Sequence, residues 1–162
     1  MLVLGVDPGL NTTGYGLVEH RSDRVFLIEG GVIRSDAKAE MAQRVGAIYQ
    51  GITEVIREFS PDVMAMEEIY SHTKHPRTAI IMAHARGAIL AAADSMGLGV
   101  RHYPSTTIKS ALTGNGRAKK EQVREMVFSM LRCTGKPEPL DTYDALAAAL
   151  CHINQQTGMV LA

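Results

Sequence analysis

The strongest candidate for chemistry in this sequence is Asp7, a carboxylate at the point where a buried strand must stop. Residues 2–6 form a short, almost wholly apolar run, which is the pattern of a strand covered on both faces. Pro8 favours extended geometry at Asp7 and removes the next ladder donor, and Gly9 allows the chain to turn sharply. A carboxylate at this place is either a turn residue or the first ligand of a metal site.

Two further pairs of acidic residues stand at comparable places. Glu67 and Glu68 end another short apolar run, and Asp141 and Asp144 begin the last predicted helix, three residues apart and therefore on one face. Taken alone, the aspartate pair is explained as well by a structural role as by a functional one, because Asp141 could cap the helix and Asp144 lies where the helix dipole favours a negative charge. The mostly apolar residues 145–153 favour packing of this helix against the body of the protein, so its first turn faces the core or a cleft.

Carboxylates that meet in one site repel one another unless they share protons or hold a cation. A ligand set made only of carboxylate oxygens suits Mg²⁺, with Mn²⁺ as a substitute. Two such ions would activate a water and stabilise the leaving oxygen of a phosphodiester. The acidic residues therefore favour metal-dependent phosphodiester hydrolysis. The candidate ligands are Asp7, Glu67 or Glu68, Asp141 and Asp144.

The charge distribution favours a nucleic acid as the substrate. The chain has 17 basic and 17 acidic residues, but residues 1–68 hold 6 Lys/Arg and 11 Asp/Glu, whereas residues 69–136 hold 11 and 3. A basic segment suits a phosphate backbone because affinity comes largely from counterion release. A solvated basic face explains the imbalance alone at least as well. The candidate DNA contacts are Lys74, Arg77, Lys109, Arg117, Lys119 and Lys120, with Tyr70 as either a partly buried aromatic or a stacking platform for an unpaired base.

The elements that must position these groups follow from hydrophobic periodicity and turn residues. The predicted strands are 2–7, 15–19, 25–33, 63–66 and 100–103, and the predicted helices are 40–59, 78–96, 104–112, 119–131 and 141–155. Residues 12–14 are predicted as a turn, Gly30-Gly31 as a bulge, and Pro104 as the first helical residue of its segment. The long helical connection predicts that the first and fourth strands are parallel neighbours, which places Asp7 beside Glu67 at one edge of the sheet.

Length and composition restrict the class of protein. A chain of 162 residues with 46% apolar content fits one globular domain over residues 1–162. No apolar run reaches the length of a membrane span, and the N-terminal residues lack the pattern of a signal peptide. Cys133 and Cys151 are too few for a disulfide framework or a zinc site, and they favour reduced thiols in a cytoplasmic protein, with one bridge as the alternative.

Five motifs, in order along nearly the whole chain, resemble the RuvC family of bacterial Holliday-junction resolvases. The motifs are VDPGLNTTGYG, MEEIY, AHARGAI, GNGRAKKEQV and DTYDALAAALCH. The resemblance implies an α/β, RNase H-like fold, in which a mixed five-stranded sheet (three antiparallel strands plus parallel strands) is flanked by helices. It also implies that the catalytic acids and metal ligands are Asp7, Glu67, Asp141 and Asp144, with two Mg²⁺ ions per subunit.

The same resemblance implies a homodimeric endonuclease of homologous recombination and DNA repair. Such an enzyme binds a four-way DNA junction and nicks two strands of like polarity symmetrically. The family's junction-core aromatic falls on Tyr70, where Phe is common, and its functional lysines fall on Lys109 and Lys120. The long Ala-rich helix resembles the family's dimer contact, and the RuvA–RuvB branch-migration complex is the implied further partner.

Two other functions fit parts of the sequence. A DxG turn after a first strand also occurs in actin-like and sugar-kinase ATPases, but that class needs a second lobe with its own phosphate loop, for which 162 residues leave no room. A non-catalytic nucleic-acid-binding module with a degenerate site is the other alternative, and the four intact acids argue against it.

Overall fold

The computed structural model describes residues 1–22, 24–68, 76–131 and 141–158. Its strands are β1 (Leu2–Asp7), β2 (Thr12–Arg21), β3 (Arg24–Arg34), β4 (Val63–Glu67) and β5 (Val100–Tyr103). Its helices are α1 (Met41–Phe59), α2 (Pro76–Ser95), α3 (Ser105–Thr113), α4 (Lys120–Met130) and α5 (Asp141–Thr157). Among the described residues, no helix combines the length and the apolar character that a membrane crossing requires.

The five strands form one mixed sheet in the order β3-β2-β1-β4-β5. The strands β1, β2 and β3 make an antiparallel meander, while β4 runs parallel to β1 and β5 runs parallel to β4. The predicted parallel pairing of the first and fourth strands is therefore confirmed. The carboxyl ends of β1 and β4, which carry Asp7 and Glu67, lie at the same edge of the sheet.

Side chains of the strands alternate between two apolar clusters, one on each face of the sheet. On one face, which we call the α5 face, Val3 and Ala65 pack with α5 and with apolar residues of α3 and α4. On the other, the α1/α2 face, Leu4, Met64 and Met66 pack with α1 and α2. Because the period of a strand is two residues, the side chains of Asp7 and Glu67 follow Val3 and Ala65 onto the α5 face.

A row of three glycines seats α5 on the sheet. Gly5, Gly16 and Gly30 are direct neighbours on β1, β2 and β3. A Cβ atom added to Gly5 would lie 1.8 Å from the carbonyl oxygen of Ala145, and one added to Gly30 would lie 2.8 Å from Cγ2 of Thr142. At Gly16, an added Cβ would lie 2.4 Å from Cδ2 of Leu146. The missing side chains thus form a groove that holds the first turns of α5 against the sheet.

Two predictions about the meander are wrong. Residues 12–14 are not a turn, because β2 begins at Thr12 and continues through the β-branched Thr13 in register with β3. The bulge does not lie at Gly30-Gly31, which pair regularly with Gly16 and Tyr15. The register shifts instead beside Leu17 and Val18, which leaves Ile28 of β3 as the extra residue.

The start of α3 also differs from its prediction. Pro104 is the N-cap of α3 rather than its first helical residue, with φ −55° and ψ 144°. The fixed φ of proline suits either place, and the extended ψ value puts Pro104 outside the helix. Ser105 therefore begins α3, and its side chain lines the cleft described below.

Cys151 lies fully buried on α5 with a free thiol. Burial raises the pKa of this thiol to about 12, so it stays protonated and unreactive at neutral pH. Cys133, the other cysteine of the sequence, lies outside the described residues. The state of Cys151 agrees with the predicted reduced thiol.

Candidate active site

A cleft of about 190 Å³ opens at the carboxyl edge of the sheet, between the end of β4 and the helices α3, α4 and α5. Glu67 and Asp144 supply two carboxylates to this cleft, and Lys109 and Lys120 supply two ammonium groups. The remaining lining residues are Ser105, Ile108, Val123 and Ala147. The cleft therefore brings together opposite charges that the sequence separates by up to 53 positions, from Glu67 to Lys120.

The position of Glu67 resolves which of two consecutive glutamates faces the cleft. Ala65 is fully buried on the α5 face, and Glu67 follows it two residues later and lines the cleft. The same alternation places Glu68 on the α1/α2 face. Strand register thus separates two carboxylates that the sequence leaves equivalent.

Asp7 and Asp144 approach the same region from β1 and α5. Val6 pairs with Met66, so Asp7 ends β1 beside the end of β4, on the α5 face. Asp144 lies half-buried in the first turn of α5, next to Ala145, whose backbone rests on Gly5. The glycine row therefore determines the height of Asp144 above the sheet.

The donor atoms fit a hard divalent cation. Asp7, Glu67 and Asp144 offer only carboxylate oxygens, which Mg²⁺ and Mn²⁺ prefer. The ammonium group of Lys120 pairs with the Asp144 carboxylate, so a positive charge is already held at one of these carboxylates. Within the described part of the chain, no three His, Cys, Asp or Glu side chains are grouped closely enough to hold a metal. Asp141, the fourth predicted ligand, is the first residue of α5, and the structure does not describe its side chain.

The predicted DNA contacts divide into two groups. Lys109 on α3 and Lys120 at the start of α4 line the cleft. Among the described residues, Arg117 and Lys119 are exposed just before α4 and do not line the cleft. Arg77 is exposed in the first turn of α2. The other two predicted contacts, Tyr70 and Lys74, lie outside the described residues.

A hydrogen-bonded pair of side chains connects β5 to α5. The hydroxyl of Tyr103 lies 2.6 Å from Nδ1 of His152, which is only 4% exposed. Burial, and then the charge of Arg101, lowers the pKa of His152, which favours the neutral ring. Burial raises the pKa of Tyr103, so its hydroxyl stays protonated and the two side chains form a hydrogen bond between neutral groups. Sequence reasoning missed this contact because its two residues are separated by 49 positions.

Arg86 is a second group that sequence reasoning missed. Its Nη1 donates to the carbonyl oxygen of Glu67 at 2.7 Å, and its Nη2 lies 2.6 Å from Nδ1 of His102. Arg86 belongs to the AHARGAI motif, which carried the resemblance without indicating a role for any one residue. A basic residue on a largely apolar helix was the signal that could have singled it out.

The family model described as Crossover junction endodeoxyribonuclease RuvC matches residues 3–152. The chain belongs to the RuvC family. The RuvC of Rhodopirellula baltica is 46% identical over 149 residues, which cover 92% of this chain and 84% of that protein. The RuvC of Moorella thermoacetica is 44% identical over 152 residues, with coverage of 94% and 90%.

Comparison with solved structures also matches this fold to that of a RuvC protein. A Thermus thermophilus RuvC in complex with a Holliday junction substrate matches with a TM-score of 0.90 and 34% identity. The match covers 98% of this chain and 97% of that RuvC. The RuvC resemblance and the predicted RNase H-like fold with a mixed five-stranded sheet are thereby confirmed.

Proposed function

We propose that this chain is an endonuclease that resolves four-way DNA junctions by nicking two strands of like polarity symmetrically. The observation that supports this function best is the cleft, where carboxylates of β4 and α5 face two lysines at the carboxyl edge of the sheet. The relatives named above are crossover junction endodeoxyribonucleases, and one of them was solved with a Holliday junction. We place the reaction in the cytoplasm, in homologous recombination and repair, with RuvA–RuvB as a further partner.

In this proposal, Asp7, Glu67, Asp141 and Asp144 hold two Mg²⁺ ions, with Mn²⁺ as a substitute. Bound ions of this kind lower the pKa of a water and neutralise charge at the leaving oxygen. Asp7, Glu67 and Asp144 come from β1, β4 and α5, so the sheet and the seated helix hold their backbones in place, and bound ions would draw the carboxylates together.

The two lysines of the cleft act on the substrate. Lys109 offers its ammonium group to the scissile phosphate, whose charge grows in the transition state. Lys120 already neutralises Asp144 and lies within the same cleft, so it can serve the phosphate when a metal takes over that carboxylate. Both lysines therefore balance charge at the point of cutting.

The remaining basic residues bind the arms of the junction. Arg77, Arg117 and Lys119 are exposed and free to approach backbone phosphates, and Lys74 is proposed for the same role. Tyr70 would stack on an unpaired base next to the cut site. Affinity from such phosphate contacts falls as salt rises, because counterions are released on binding.

The purified protein is expected to nick a synthetic four-way junction in Mg²⁺ or Mn²⁺ and to leave a linear duplex of the same sequence intact. The measurement is strand-specific cleavage of end-labelled junctions with different sequences at the crossover. Chelation of the metal with EDTA should stop nicking. Equal cutting of junction and duplex would contradict junction selectivity, and binding without nicking on every junction would favour the non-catalytic module.

We also propose that the protein is a homodimer that associates through α2. The outer face of α2 carries Ile80, which is 59% exposed, and the small residues Ala83, Gly87 and Ala91 at helical spacing. A Cβ added to Gly87 would meet no atom of the described residues within 4 Å, so this face is open. An open, apolar face of small residues allows two helices to approach closely.

Gly87→Glu is expected to convert the dimer to a monomer without disturbing the fold of the chain. A glutamate at this open helical position costs nothing within one subunit and places a charge in the proposed interface. Light scattering after size exclusion should show the molar mass fall by half, with an unchanged circular dichroism spectrum. Ala42→Glu, on the exposed side of α1, is the matched control. A Gly87→Glu protein that keeps the mass of a dimer would rule out this interface.

A further inference from the structure

The peptide group between Glu67 and Glu68 is held from both ends. Its N–H, on Glu68, donates to the carbonyl oxygen of Tyr103 at 2.8 Å. Its C=O, on Glu67, accepts from Nη1 of Arg86 at 2.7 Å. These two bonds come from different elements, β5 and α2, and they fix the plane of the last peptide of the strand that supplies Glu67 to the cleft.

The bond from Arg86 replaces one that the sheet does not provide. In a trans peptide the N–H and C=O point in opposite directions, so the Glu67 carbonyl points away from β5 and toward β1. The ladder between β1 and β4 ends at the pair Val6 and Met66, and the next donor along β1 would belong to Pro8. Since proline has no N–H, the carbonyl would lack a partner from β1. Arg86 supplies that donor from the neighbouring helix.

The other arm of the guanidinium binds β5. Because a guanidinium only donates, Nδ1 of His102 accepts from Nη2 at 2.6 Å, and the ring proton lies on Nε2. Burial, and then the charge of Arg86, lowers the pKa of His102, in agreement with a neutral ring. Arg86 itself is half-buried, and the carboxylates of Glu68 and Glu67 favour its charged form against the cost of burial. One side chain thus joins α2, β4 and β5 at the edge of the cleft.

We propose that Arg86 is a positioning residue for strand cutting, which orients the Glu67–Glu68 peptide so that Glu67 faces the cleft and Glu68 faces α2. The proposal rests on the proposed function, because it concerns the orientation of a carboxylate in the proposed site. Without the guanidinium, the Glu67–Glu68 peptide keeps only the bond from its N–H to Tyr103, and it can tilt about that bond. A tilt moves the Glu67 carboxylate relative to Asp144, which belongs to a different element.

The test compares Arg86→Gln and Arg86→Lys with the wild-type protein in single-turnover nicking and in junction binding. Because small misplacements of reacting groups cost up to about 100-fold in rate, Arg86→Gln should lower the nicking rate at least about tenfold with junction Kd changed less than about threefold. Arg86→Lys, which can still donate to the Glu67 carbonyl, should recover part of the rate. Arg57→Gln, an exposed arginine in the last turn of α1, is the matched control for charge.

A second readout needs neither metal nor DNA. Amide hydrogen exchange, measured by NMR on the free protein, should become faster at Glu68 in Arg86→Gln and stay slow in Arg57→Gln. An unchanged nicking rate together with unchanged exchange at Glu68 would overturn the proposal, and so would a weaker junction Kd at an unchanged rate. If the wild-type protein does not nick junctions, the proposed function is refuted instead. If the wild-type protein nicks junctions and Arg86→Gln is equally active, only the role of Arg86 is refuted.

Discussion

Asp7→Asn is expected to lower the rate of junction nicking at least about 10³-fold, while junction affinity changes less than about threefold. Asn keeps the size of the side chain at the end of β1 and removes the charge that a divalent cation would need there. Junction affinity depends mainly on basic side chains, which this change leaves in place. The measurement is single-turnover nicking of a four-way junction in Mg²⁺, paired with a binding assay in Ca²⁺.

The control for Asp7→Asn is Glu54→Gln, which removes one negative charge from the exposed side of α1. Its nicking rate should equal that of the wild-type protein. A wild-type rate in Asp7→Asn would exclude Asp7 from the proposed site and with it the two-ion arrangement. A loss of binding as large as the loss of rate would instead assign Asp7 to the folding of the edge that binds DNA.

The placement of the acids could be predicted from sequence to the extent that it depends on strands and their order. The apolar runs before Asp7 and Glu67, and the long connection between them, predicted two parallel strands with their carboxyl ends together, and the structure confirms that pairing. The choice of Glu67 over Glu68 required the register, since the two residues have the same type and the same neighbours. The structure places Glu67 in the cleft, while its role in catalysis stays a prediction.

Contacts that join distant parts of the chain could not be predicted in this way. The bond from Arg86 to the Glu67 carbonyl and the Tyr103–His152 pair leave no periodic pattern, because each is a single contact between residues far apart in the sequence. The misplaced bulge has a related cause. A Gly-Gly pair in a strand predicts a bulge by local rules, whereas here Gly30 is small because Thr142 of α5 rests on it.

The glycine row shows how the distance between a helix and a sheet is set by residues that indicate no such role in the sequence. Gly5 interrupts an apolar run and Gly16 lies in a strand, so each taken alone only weakens the strand in which it stands. Their meaning appears when the register makes Gly5, Gly16 and Gly30 neighbours under one helix. Because Asp144 is on that helix, the close approach of α5 to the sheet is a condition for the cleft as well as for the core.

Gly5→Ala is therefore expected to destabilise the protein strongly. The added Cβ would lie 1.8 Å from the carbonyl oxygen and 2.7 Å from the carbonyl carbon of Ala145, and 3.1 Å from Cβ of Ala149. A backbone carbonyl cannot relieve the clash by changing rotamer as a side chain can, so α5 must move away from the sheet. Overpacking of a close-packed core costs about 1–3 kcal/mol and at times more, and with backbone as the obstacle we expect a loss of at least about 3 kcal/mol in unfolding free energy.

The loss would lower the melting temperature by about 6–12 °C, measured by calorimetry. Gly46→Ala is the matched control, since an added Cβ there would meet no atom of the described residues within 4 Å and alanine favours the helix by up to about 1 kcal/mol. Equal melting temperatures for Gly5→Ala and the wild-type protein would mean that α5 can shift at little cost. If the nicking rate of Gly5→Ala is then also normal, the glycine row does not hold Asp144 in place. If the protein is stable but its nicking rate is reduced, the glycine row is required for the site more than for the core.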